Sequence, residues 1–202
     1  MARPRNQERQ RRTLLDAATS AIAERGADAL SARQVAARAG VSPPTVMYYY
    51  PRMDDLAAAV RDDAVRRFCV AREEIAARTE DPAALLVALA AAGLPTGRDD
   101  TLVAAVVRMF GMARTDERHA QAVTAFWDRQ VGMFEQVVTS GAEAGVFAPR
   151  LPVRTVGEHL VALEDAYGIQ IVTGDGSMGR ARALDLVCAY AEAVLGCRFP
   201  RT

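Results

Sequence analysis

Between Ser31 and Pro51 the chain reads S-A-R-Q-V-A-A-R-A-G-V-S-P-P-T-V-M-Y-Y-Y-P, which packs two helix starts and two helix stops into one short span. Ser31 stands three residues before Gln34, the spacing of a capping box, ahead of Val35 and Ala36. Gly40 ends that helix. Ser42 then caps another, with Pro43 at the first helical position, where a missing N–H goes unused in any case. Pro51 stops it. Two short helices joined through A-G-V, the second opened by a cap, form the helix-turn-helix pattern, in which the second helix enters the DNA major groove by its N-terminal end. Upstream, Leu14, Ala18, Ala21 and Ile22 recur as one buried face and Gly26 follows as a terminator, so a preceding helix is predicted over about 7–25.

Three adjacent tyrosines in the third helix need separate explanations. Val46 and Tyr50 are four apart and point the same way, toward Leu30, Val35 and the first helix, which makes Tyr50 a core residue. Pro44, Thr45 and Tyr48 lie on the opposite side with the helix N-terminus, where a hydroxyl can meet a base edge and a ring can rest on a thymine methyl. Tyr49 points sideways, its hydroxyl suited to a phosphate oxygen. The competing reading is a crowded apolar turn with all three rings partly covered.

The charge distribution fits a small nucleic-acid head. Residues 1–56 hold nine arginines against six acids, a balance of +3, while the whole chain is formally neutral, so the remainder carries −3. Phosphate neutralisation supplies most non-specific DNA affinity, although a merely solvated basic tail shows the same balance. No run approaches 18 apolar residues and no apolar segment follows the arginine-rich start, so neither a membrane span nor a secretory signal is read and a cytoplasmic location is expected. The three cysteines Cys69, Cys188 and Cys197 lack C-x-x-C spacing, which suggests packed thiols and no metal or disulfide framework.

Beyond Leu56 the apolar periodicity remains helical. Leu56, Val60, Ala64, Phe68, Ala71 and Ile75 form one stripe of a fourth helix; Asp81-Pro82 opens a fifth that runs to Gly93; Leu102, Val103, Val106, Val107 and Phe110 belong to a sixth. Val123, Trp127, Val131, Phe134 and Val138 keep one face of a seventh that Gly145 ends. Two final helices, 153–172 and about 179–195, are apolar on more than one side and need cover from their own domain or from a partner. The fold class is therefore all-α, about nine helices, with a helix-turn-helix DNA-binding domain over 1–52 and a helical effector-binding and dimerisation domain over 53–202.

From Leu14 to Leu56 the chain resembles the TetR family of transcriptional regulators. A first helix of the form A-A-x-x-x-I/L-x-x-x-G is followed by S-x-x-x-V-A-x-x-A-G-V-S, then P-x-T-V and an aromatic cluster. The resemblance implies DNA contacts from Ser31, Arg33, Pro43, Thr45, Tyr48 and Tyr49. It also implies a homodimer through the last two helices, matched to double-stranded DNA with a palindromic operator, and a small-molecule effector. Two positions depart from the pattern: Met47 replaces a phosphate-binding tyrosine and Met53 a lysine, and neither can donate to phosphate. Arg52 is the neighbouring cation that would compensate, with Arg3, Arg5, Arg9, Arg11 and Arg12 as an additional basic arm.

For an effector, Phe68, Met109, Phe110, Met112, Trp127, Phe134 and Tyr167 are the candidate apolar lining, together with Cys69. Glu164 and Asp165 interrupt an apolar helix, and either of them turned inward would favour a cationic ligand. His119 and His159 have no partners at metal spacing and no P-loop, G-x-S-x-G or G-x-G-x-x-G is present, so no enzyme and no cofactor are expected. The alternative function is a helical small-molecule carrier or partner-binding module with lost DNA affinity. Activator and repressor are not distinguished by sequence.

Overall fold

The computed structural model describes residues 2–26, 30–109 and 117–199, the side chains of 2–5, 108 and 109 excepted. Among these residues the chain forms nine helices and no strand: α1 Ala2–Arg25, α2 Ala32–Ala39, α3 Pro43–Tyr49, α4 Met53–Ala76, α5 Pro82–Gly93, α6 Thr101–Met109, α7 Glu117–Glu143, α8 Val153–Thr173 and α9 Arg180–Leu195. The all-α expectation holds. The helices group into two compact units, Met1–Arg66 with Thr101–Ala120, and Arg67–Asp100 with Gln121–Thr202, so α4 and α7 each contribute to both.

In the first unit α1 packs on α2 and α6, and α2 packs on α3. The apolar face of α1, Leu14, Ala18, Ala21 and Ile22, is buried together with Leu30, Val35, Val46, Tyr50, Leu56 and Val60. The caps form where the sequence puts them. Ser31 Oγ accepts from Gln34 N and Ser42 Oγ from Thr45 N, each at 3.4 Å. Gly40 takes a left-handed φ of 67°, which a residue with a Cβ adopts at a cost, and this lets the chain reverse between α2 and α3. Helix α1 begins earlier than expected, at Ala2; Pro4 falls in its first turn, where proline removes no hydrogen bond and so does not stop the helix. Arg12 crosses to α4, donating to both carboxylate oxygens of Asp63 at 2.9 and 3.1 Å.

In the second unit Leu86, Leu89, Val131, Phe134, Val138, Val156, Leu160, Val161, Val187, Ala191 and Leu195 make one buried cluster from α5, α7, α8 and α9. Asp81 caps α5 through a 2.7 Å bond from Ala84 N. The predicted stripe of α4 fails near its end: Ala71 is exposed, whereas Cys69 and Arg72 are buried. The buried row continues by a four-residue step from Phe68 to Arg72, where the apolar pattern favours the three-residue step to Ala71 because arginine does not read as a core residue. Helices α8 and α9 each bury one face and keep further apolar atoms outside it, including Ile169, which is exposed, and the half-buried Leu163, Leu186 and Tyr190. His159 Nδ1 and the Tyr190 hydroxyl lie 2.6 Å apart, tying α8 to α9 on that outer side.

Candidate nucleic-acid interface and ligand cavity

In the first unit, capping fixes what α3 presents. With Ser42 satisfying the first turn, the helix N-terminus carries Pro43 and Pro44 exposed and Thr45 half-buried, and the Thr45 hydroxyl lies 2.9 Å from Ser42 Oγ. Tyr48 is 73% exposed and Tyr50 only 6%. Burial pushes the Tyr50 hydroxyl above its ordinary pKa, with the Arg11 charge opposing. Tyr49 is half-buried between these, its ring edge-on to Tyr48 with centroids 5.2 Å apart. The Arg11 guanidinium stands 5.9 Å from the Tyr49 ring centroid and 5.8 Å from that of Tyr50, within cation–π range. Arg33, at the start of α2, is exposed and has no ion-pair partner among the described residues. Arg52 is exposed and bonded to Asp54 at 3.2 Å. This surface offers hydroxyl donors, a basic charge and an aromatic ring beside an exposed, Ser42-capped helix N-terminus, the groups that DNA recognition uses.

In the second unit, Arg72 of α4 is only 1% exposed. Its Nη2 donates to Glu164 Oε1 at 2.6 Å and Oε2 at 2.8 Å, and to the Leu89 carbonyl at 2.6 Å. The guanidinium carbon lies 4.7 Å from the Phe68 ring centroid and 5.2 Å from that of Phe134, so the cation is held among two rings and a carboxylate. Gly93 leaves room for the pair, since a Cβ there would overlap the Glu164 carboxyl and come within 2.7 Å of Arg72 Nη2. Burial raises the Glu164 pKa to about 8, against the opposing pull of Arg72, and raises Asp165 to about 6 in the same way. Beside this pair opens a cavity of about 270 Å³ between α4, α5 and α7, lined by Arg72, Leu85, Leu89, Met133, Val137 and Ser140 among others. Among the described residues no group of three His, Cys, Asp or Glu is placed to hold a metal ion, and no helix is long and apolar enough to cross a membrane.

Residues 14–60 match the family model for bacterial regulatory proteins of the tetR family, and residues 82–196, more than half of the chain, match that for the C-terminal domain of BetI-type transcriptional repressors. The chain belongs to the TetR family. Its fold recurs in solved structures. A protein from Saccharomonospora viridis described as a transcriptional regulator, in complex with choline, shares 21% identity at a TM-score of 0.86 over 93% of this chain and 98% of that one. A TetR transcription regulator from Haloarcula marismortui shares 26% at 0.83, over 93% and 99% of the two chains. The ketosteroid regulator KstR2 of Mycobacterium tuberculosis shares 22% at 0.66, over 92% and 93%. No curated protein matches.

Within this TetR frame, Ser31 is the N-cap of α2, and Arg33, Pro43, Thr45, Tyr48, Tyr49 and Arg52 fall on α2, α3 or the turn before α4. Of the predicted effector residues, Phe68, Phe134 and Glu164 meet around Arg72. Trp127 and Tyr167 are partly buried against the apolar core of the second unit. Phe110, Met112 and the side chain of Met109 lie outside the described residues. Sequence reasoning missed Arg72 and the residues lining the cavity. Arg72 sits four residues after Phe68 on the α4 stripe, and Glu164 on the stripe of α8; two opposite charges each placed in an apolar row are the signal that could have found the pair.

Proposed function

We propose that this TetR-family transcriptional regulator is a repressor, bound as a homodimer to a palindromic operator and released from it by a small-molecule effector. The observation that carries the DNA-binding role is the outward side of α3, with Pro43 and Thr45 in its first turn and a largely exposed Tyr48 near its end, together with Arg33, exposed and without an ion-pair partner among the described residues. On this reading Tyr48 and Thr45 face the groove, while Ser31, Arg33, Pro43, Tyr49 and Arg52 contact the backbone or adjacent base edges. Binding would compete for Arg52 with its Asp54 partner, an exposed pair worth little in water. The outer apolar faces of α8 and α9 are the surface assigned to the second subunit, whose two-fold axis would match that of the operator. The cavity beside Arg72 is the assigned effector site, and the cytoplasm, where DNA is met, the location. An effector releases the operator only by binding the non-DNA conformation more tightly.

The second reading, a carrier or partner-binding module without DNA affinity, is favoured by Met47, which is 43% exposed where a phosphate donor is expected. In-vitro transcription from the promoters flanking the gene decides the regulatory sign. Repression by the wild-type protein is expected. Stimulation would contradict it, and absence of any effect on any flanking promoter would favour the carrier.

A further inference from the structure

We infer that the cavity between α4, α5 and α7 takes a small carboxylate with an apolar body, and that Arg72 is the group that receives its head. This rests on the reading of that cavity as the effector site and names the class of ligand. Its volume of about 270 Å³ lies just below the range typical of drug-sized ligands, which limits the occupant to a compact molecule. Leu85, Leu89, Met133 and Val137 supply an apolar wall, and Glu73, Gln136 and Ser140 a polar rim. Glu73 is already bonded to Arg129, so the rim presents a neutral pair to an arriving ligand.

Donor arithmetic at the floor then decides the head group. A guanidinium carries five N–H donors in a fixed fork. Nη2 is spent on Glu164 and the Leu89 carbonyl, Nη1 reaches Gln130 Oε1 only at 3.5 Å, and Nε has no acceptor among the described residues. A buried cation with unspent donors at a cavity wall calls for an oxygen acceptor, and a carboxylate matches the fork best. An organic cation is excluded by the same geometry. The groups that would hold one, the Phe68 and Phe134 rings and the Glu164 carboxyl, are already occupied by Arg72, and Gly93 closes against the pair. Burial also works against a charged Glu164, which leaves the Arg72 charge less than fully answered from within.

The test is isothermal titration of the full chain, without DNA, with hexanoate and benzoate as probes and hexanol and choline as controls. The carboxylates bind and the controls do not. Titrated at a pH above the folded Glu164 value of about 8, where the side chain is ionised, Glu164→Gln keeps the shape, removes the competing anion and tightens carboxylate binding by about tenfold, the scale of one charge-assisted hydrogen bond. Ala76→Leu fills the cavity from an exposed position on α4 without touching the ion pair, and abolishes it. Choline binding with silent carboxylates, weaker carboxylate binding in Glu164→Gln, or binding that survives Ala76→Leu would each overturn the assignment. Carboxylates that bind in this way yet leave an operator complex intact would sustain the assignment and contradict effector release. Release by a ligand of other chemistry, blocked by Ala76→Leu, would do the reverse.

Discussion

Tyr48 and Tyr50 are two residues apart and share one helix end, yet their surroundings give them opposite tasks. Replacing buried Tyr50 by alanine opens a hole in the core of the first unit and is expected to cost about 3–5 kcal/mol in urea denaturation. Tyr48→Ala should change stability by less than about 0.5 kcal/mol. Equal losses would contradict the division of labour. That division was legible from spacing alone, because i and i+4 share a face and i+2 does not. Arg72 was illegible for the complementary reason: arginine is read as a surface residue, and its partner Glu164 is 92 positions away, where no local period reports it. The pair leaves a pH signature. Glu164 titrates near 4.5 when unfolded and at about 8 when folded, so the folded chain holds the extra proton between those values. Its contribution to stability is complete below about pH 4.5 and is lost as pH rises through about 8. The charged and polar groups facing it are Arg72 from α4, which also bonds Gln130 of α7, and the neighbouring Asp165, itself raised to about 6. Thermal melts should therefore fall from pH 5 to 8.5 in the wild type and fall less in Glu164→Gln; parallel curves would contradict the assignment.

At the level of elements, ends were read more securely than faces. Caps and stops depend on one or two residues with a defined task, and Ser31, Ser42, Asp81 and Gly40 each perform it. The face of α4 departs from the apolar pattern at one step: after Phe68 the pattern favours alanine three residues on, whereas the buried side chain is the arginine four residues on, so Ala71 is exposed and Arg72 buried. Gly93 tests the resulting packing. It was read as the end of α5, and it is also the place where α5 approaches the Arg72–Glu164 pair. Gly93→Ala improves intrinsic helix propensity by roughly 1 kcal/mol, yet the new methyl overlaps the buried carboxyl, for which overpacking costs about 1–3 kcal/mol. The expected balance is a net loss in denaturant midpoint. A stabilised variant would show that α5 can shift away from the pair.

For the molecule as a whole, the first unit was readable in detail because its signals are local and dense, whereas the second was readable only as a series of helices. Its cavity draws residues from three helices separated by long stretches of sequence, and apolar residues that line a cavity have the same period as those that fill a core. The central claim, that this TetR-family chain reads DNA through α3, is tested most directly by fluorescence anisotropy on duplexes flanking its gene, across a salt series, beside Tyr48→Ala. The account predicts selective binding whose log affinity falls linearly with log salt, at a slope of roughly −0.9 per phosphate neutralised, and which Tyr48→Ala loses while remaining folded. Salt-insensitive binding, or a Tyr48→Ala variant as tight and as selective as the wild type, would contradict it.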